Sequence, residues 1–301
     1  MNCSKVLVLG GCGAMGRPLA RTLADFDFVE HIIIAGLDSN QGRRFSQSLQ
    51  GKGEFLALDV RDELALSSAI QACDLVVNAV GPFYQFAKLI VTAAINQKRP
   101  YIDICDDIEP TETILSKHED AKNAGIPMVC GLGASPGLTN ILARMAANKL
   151  DLVHELDTVW DISGTNTVED EYSAPTQNGQ PSAALVHWMH CCSGNVKVLE
   201  NGNWASIKPL EPISLAMPNE TDTIGWTVAH PEPLTLAKTF QDLQASHNYM
   251  TGPAELFKLL QSVRDRIDAG DLTPESAALL LIDNYGFSDA ISSAQQQTAN
   301  K

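Results

Sequence analysis

Proton transfer needs titratable side chains held where a ligand can reach them, and this chain places several just after short apolar runs. In YIDICDD, Asp103, Cys105, Asp106 and Asp107 follow a β-rich stretch. A carboxylate among apolar neighbours has its pKa raised toward the range useful for moving protons. Asp106 is therefore the first candidate for acid–base work and Cys105 the second. The competing reading is that Asp106 and Asp107 cap the next helix. Tyr84, just past Gly-Pro-Phe, can donate a hydrogen bond to a substrate. In HWMHCC, His187, His190 and Cys191 share one helical face. Zinc would need further ligands, and no second ligand pair is evident in the sequence, so no metal is expected. His187 facing a cofactor and plain packing of an amphipathic helix are the two readings kept.

A second group of residues is suited to a dinucleotide. The run KVLVL leads into Gly10-Gly11-Cys12-Gly13-Ala14-Met15-Gly16 and then into a segment of helical character. Strand, glycine turn and helix in that order give the G-x-G-x-x-G spacing its meaning. Gly11 permits the tight turn, Gly13 the approach of a pyrophosphate, and Gly16 close packing of helix on strand. Phosphates would rest on the amides from Gly13 through Ala14 and Met15 and on the positive end of the helix. Asp38, ending the second strand, can accept the ribose hydroxyls and so favours NAD over NADP. Arg43 and Arg44 nearby could hold a 2′-phosphate instead, and the choice stays open. Asp59 and Val60 are placed beside the adenine; Val80, Gly81 and Pro82 are placed beside the nicotinamide ribose. Ser135-Pro136-Gly137 opens a further helix, whose N-terminus suits a substrate carboxylate. Asn140 and Arg144, four residues apart, share a face there.

These residues need elements to hold them. Up to about residue 132, six short β-rich runs alternate with helical patterns, which predicts an α/β fold: a doubly wound parallel sheet of Rossmann type, with ligands at the carboxyl ends of the strands. One helix is expected from about Glu109 to Asn123. Beyond Gly133 the pattern changes to a mixed α+β domain. It holds a weakly alternating strand near 154–163, a hairpin turning at Asn201-Gly202, and helices near 253–269 and 274–283. The expected domains are 1–133, binding the dinucleotide, and 134–301, holding substrate and ending in a frayed polar tail after Phe287.

Of the 301 residues, 45 % are hydrophobic and 19 % charged, as in ordinary globular proteins. A formal charge of −15 argues against nucleic acid or an anionic membrane as partner. Seven scattered cysteines fit a reducing compartment. Neither a signal-peptide pattern nor an apolar run near the roughly 18 residues of a membrane span is present. A soluble, cytoplasmic protein acting on a small molecule is expected.

GGCGAMG, DLVVNAVGPFYQFA, YIDICDD, CGLGASPGLTN and AHPEPLTLAK, in this order, resemble the motif series of the saccharopine dehydrogenase-like family. That family includes saccharopine reductases, lysine 6-dehydrogenases and carboxynorspermidine synthases. The resemblance implies an NAD(P)-dependent oxidoreductase of amino-acid metabolism, transferring hydride to or from a carbon–nitrogen bond of an amino acid or polyamine-like substrate. It also implies His230 and Glu232 as residues of the substrate wall. Two departures stand out. Family members usually continue past the last helices, and the basic residue expected after Thr-Leu-Pro is here Lys238, following Ala237. The short C-terminus prompts the expectation of a homodimer. Two other readings remain: an NAD(P)-dependent carbonyl or alkene reductase, and a non-catalytic nucleotide-sensing protein.

Overall fold

The computed structural model describes residues 4–162, 176–177, 179–217 and 223–285. The tail after Phe287 lies outside them. The chain divides into two compact units, Met1–Gly133 and Ala134–Lys301.

The first unit alternates strand and helix throughout. Its elements are β1 (Lys5–Leu9), α1 (Gly16–Ala24), β2 (His31–Gly36), α2 (Ser39–Gln47), β3 (Gly53–Ala57), α3 (Glu63–Gln71), β4 (Leu75–Asn78), α4 (Phe83–Asn96), β5 (Tyr101–Asp103), α5 (Ile108–Leu115), α6 (His118–Ala124) and β6 (Met128–Val129). The six strands form one sheet in the order β3-β2-β1-β4-β5-β6, every pairing parallel. This is the doubly wound order, which reverses direction between β1 and β4. The period of two along β1 divides its side chains between two cores. Leu7 and Leu9 pack with Leu66, Ile70, Ile90 and Val91 of α3 and α4. Val6 and Val8 pack with Ala20 and Ala24 of α1 and Phe45 of α2. With both faces covered, the central strands must be apolar along their buried lengths, as Val6–Leu9 and Ile32–Ala35 are.

The caps are local. Asp38 accepts from the Asn40 and Gln41 amides at the start of α2, and Asp62 from the Ala65 amide at the start of α3. The single helix expected over 109–123 is two, α5 and α6, parted at Ser116-Lys117. The Ser116 side chain bonds back to the Thr113 carbonyl there, competing with the helical ladder.

The second unit contains α7 (Leu138–Ala147), β7 (Thr158–Asp161), β8 (Thr176–Gln177), β9 (Gln180–Pro181), α8 (Ala183–Cys191), β10 (Val196–Glu200), β11 (Asn203–Ile207), β12 (Pro212–Leu215), β13 (Thr223–Thr227), α9 (Glu232–Thr239), β14 (Asn248–Thr251), α10 (Ala254–Asp268) and α11 (Pro274–Tyr285). A four-stranded mixed sheet runs β12-β13-β14-β7, with only the β14–β7 pair parallel. The β10–β11 hairpin turns at Asn201 and Gly202, with φ of 51° and 72°. Two positive φ values in sequence are what a type I′ turn demands, and Asn-Gly tolerates them. The main core joins α8, α10 and α11 to the sheet through Met189, Met250, Leu260 and Leu281. At its centre Trp226 stacks on Phe257, ring centroids 3.8 Å apart. No helix among the described residues is long and apolar enough to cross a membrane.

Candidate active site residues in the two domains

In the first unit the glycine loop is folded against the strand ends. The Gly10 and Gly11 amides donate to the Ala35 carbonyl at the end of β2, and the Gly13 amide donates to the Gly10 carbonyl at 2.9 Å. A Cβ on Gly16 would collide with the Gly10 carbonyl oxygen and the Gly11 Cα. That close approach is what sets α1 tight on the turn. The amides of Ala14 and Met15 donate to no group within the described residues, so they are available at the positive end of α1. Arg17, which sequence reasoning missed, is fully buried beneath this loop. Its Nε donates to the Cys12 carbonyl at 2.7 Å, and its guanidinium lies over the Phe45 ring. Nothing in the local pattern marks this arginine; its burial depends on Phe45, brought by α2.

The other residues expected along the cofactor also fall at the carboxyl ends of strands. Asp38 ends the β2 connection, exposed, but one carboxylate oxygen already caps α2. Arg43 and Arg44 are exposed on α2. Asp59 is clasped by Arg61 through both carboxylate oxygens, and this pairing lowers its pKa to about 2. It is a turn aspartate with its partner supplied locally, and Val60 beside it is buried. Val80, Gly81 and Pro82 follow β4, and the Val80 amide donates to the Asn78 side chain.

The aspartate cluster after β5 separates by burial. Asp103 is wholly buried. Its Oδ1 accepts from the amides of Cys105 (3.0 Å) and Gly131 (2.8 Å), which fastens β5 to the end of β6. Burial raises its pKa against the pull of those amides. Cys105 is equally buried: Thr111 donates to its sulfur, and burial pushes the thiol well above its ordinary value. Burial in the core weighs against Cys105 as an acid–base group. Asp107 takes the N-cap position of α5 without a side-chain cap bond. Asp106 is half-buried and Tyr84, on the first turn of α4, is half-exposed. Both follow the carboxyl ends of strands, Tyr84 after β4 and Asp106 after β5.

The second unit assembles its polar residues differently from the expectation. Glu232, at the start of α9, is completely buried. Its Oε1 accepts from the hydroxyls of Ser135 and of Thr139, the latter at 2.9 Å. A resident carboxylate thus takes the hydroxyl donors at the start of α7, where the sequence suggested a substrate carboxylate. The Gly137 amide donates to Asn140 Oδ1 at 3.0 Å, and Asn140 Nδ2 donates to Thr235 at 2.8 Å, tying α7 to α9. Arg144 is exposed and lies over the Phe240 ring.

His230 sits next to this knot, almost wholly buried. Its Nδ1 is 3.2 Å from Ser135 Oγ and 3.4 Å from Glu232 Oε2. On α8, Cys191 is buried and half-buried His187 brings its Nε2 to 3.1 Å from the sulfur. The His187 and His230 rings meet edge to face, 5.9 Å between centroids. Burial works against charge on both His230 and Cys191. It is outweighed: Cys191 and Glu232 hold the His230 proton up to about 10, while His187 and His230 lower the thiol. Glu232 is likewise lowered, burial being overcome by His230 and the two hydroxyls. His187, His190 and Cys191 were legible as a helical face. That the third member is His230 and not exposed His190 was not, because α9's approach is a long-range event.

An α/β unit of strand order 3-2-1-4-5-6, with a glycine loop after the first strand and open amides above it, defines a Rossmann dinucleotide-binding domain. Residues 6–129 match the family described as the saccharopine dehydrogenase NADP binding domain. That match spans nearly the whole of the first unit. Among solved structures, apo saccharopine dehydrogenase (L-Glu forming) from Saccharomyces cerevisiae superposes with a TM-score of 0.64 at 14 % identity. The match covers 87 % of this chain and 58 % of that one, a likeness of fold. A lipid droplet localized protein of Caenorhabditis elegans is 24 % identical over 148 residues, 45 % of this chain and 35 % of that protein. The chain thus spans little more than half of one relative's length and about a third of the other's.

Proposed function

We propose that this chain is an NAD(P)-dependent oxidoreductase that transfers hydride to or from a carbon–nitrogen bond of an amino-acid or polyamine-like substrate. The observation that carries the reading is the glycine loop: Gly16 packed without room for a Cβ, and two amides open above the N-terminus of α1. The family of the first domain supports a nicotinamide cofactor. Asp38 supports NAD, although its carboxylate also serves α2. The cofactor carries the hydride, and the protein supplies position and protons. Asp106 is our candidate for the group that protonates or deprotonates the reacting nitrogen, with Tyr84 donating a hydrogen bond to the substrate. Both stand on elements that leave the carboxyl edge of the sheet, where ligands of doubly wound domains bind. The carbon–nitrogen bond rests on the motif resemblance, carried by YIDICDD, CGLGASPGLTN and AHPEPLTLAK.

The test is a screen of amines and amino acids for formation of reduced cofactor, run on the native chain and on Asp106→Asn. Turnover lost in Asp106→Asn at unchanged dinucleotide affinity supports the assignment. Turnover by Asp106→Asn equal to that of the native chain removes Asp106 from it, and reduction of carbonyls or alkenes alone would replace the bond type. We extend the reading to a homodimer. Leu138, Ile141, Leu142 and Met145, spaced along one side of α7, are all more than half exposed, and a second copy of the chain is the partner we assign to them.

A further inference from the structure

His187, Cys191 and His230 are one thiol and two imidazoles whose ligand atoms all lie within 4.8 Å of one another. We propose that these three residues bind a zinc ion in the second domain. Zinc takes thiolate and imidazole ligands at about 2.3 and 2.0–2.1 Å, so ligand atoms around a tetrahedral ion stand ~3.5 Å apart. The His187 Nε2–Cys191 Sγ separation of 3.1 Å needs only a small opening to meet this. The i, i+4 spacing on α8 fixes that pair, and His230 arrives at the end of the segment entering α9.

The outer contacts fit the same assignment. A metal-bound histidine usually gives its other ring nitrogen to a carboxylate or hydroxyl, which fixes tautomer and ring orientation. His230 Nδ1 is turned to Ser135 Oγ and Glu232 Oε2, so Nε2 is the nitrogen left for an ion. Glu232 is itself held by Ser135 and Thr139. It is therefore a positioning residue for His230, and its carboxylate adds negative charge beside a cation. Mixed sulfur and nitrogen donors select zinc over magnesium or calcium. Three protein ligands leave the fourth position to water. His187, half-buried, is the ligand on the side from which an ion would enter.

The experiment uses the full chain, stripped with a chelator and titrated with cobalt(II), then with zinc. The expected result is one cobalt per chain, with a thiolate-to-metal charge-transfer band, bleached by one equivalent of zinc. Cys191→Ser should lose that band. His187→Ala, at a less buried position, should weaken binding with less risk to the core, and His190→Ala, exposed on the same helix, should change nothing. Glu232→Gln should keep the spectrum and lose about 10- to 100-fold in zinc affinity; unchanged affinity would remove its positioning role. A folded native chain that shows no charge-transfer band, or a band that survives in Cys191→Ser, overturns the site. No dinucleotide enters this readout, so its failure is distinct from failure of the oxidoreductase reading.

Discussion

Two glycines of the same loop should respond differently to substitution, because one has no room for a Cβ and the other has nearly enough. Gly16 has the Gly10 carbonyl where its Cβ would be, and no flexible side chain can move aside. Gly16→Ala should part α1 from the loop, lowering both thermal stability and dinucleotide affinity. Gly13 is exposed and its Cβ would meet only the Gly10 oxygen, at 3.2 Å. Gly13→Glu should leave the melting temperature within a few degrees of native and still abolish binding, since it sets a carboxylate where phosphate belongs. Differential scanning calorimetry with a titration of each variant checks both. A Gly13→Glu chain that binds as well as native would mean the loop does not carry phosphate. The same scale explains why Asp106 outlasted Cys105 as a candidate. Both follow β5, but Asp106 is half-buried and Cys105 lies in the core against Thr111. Which of two near neighbours in sequence turns inward is decided by packing against α5, not by composition.

Among the elements, His247 latches three together. Just before β14, its amide and Nδ1 both reach Asp157, which precedes β7, and its Nε2 faces Glu200 at the end of β10. The Asp157 hydrogen bond leads in raising the His247 pKa above 6.5, outweighing burial. A raised folded value means that the charged ring stabilises the fold fully below the unfolded histidine pKa. That contribution is lost as pH rises through the higher folded value. Proton NMR of the His247 ring should titrate above 6.5 in the native chain and shift downward in Asp157→Asn. Titration unchanged by that substitution would contradict the latch. Local elements were legible because their signals are local: KVLVL and HIIIA in strands buried on both faces, Asn201-Gly202 at the hairpin. The knot around Glu232 was not, since its partners Ser135 and Thr139 are 97 and 93 residues away. The sequence marked Ser135-Pro136-Gly137 as an anion site, and an anion does sit there, but it is the chain's own. The division of 109–123 into α5 and α6 was missed because a serine in a helical pattern reads as neutral until its side chain is seen to bond backward.

At the scale of the whole molecule, the parallel sheet and its glycine loop form one unit, and the mixed sheet with the Cys191–His230–Glu232 cluster forms the other. The proposed homodimer makes a simple expectation. Light scattering at micromolar concentration should give twice the 32.5 kDa chain mass, and Leu142→Asp, on the exposed side of α7, should give a monomer. A native chain already monomeric at that concentration would remove the assembly from the account. The central claim is the dinucleotide, and calorimetric titration of the purified chain with NADH and NADPH, separately and at physiological salt, tests it most directly. The account predicts saturable binding of one equivalent per chain, tighter for NADH because of Asp38, and no binding to Gly13→Glu. Absence of heat with either dinucleotide, from a folded native chain, would contradict it.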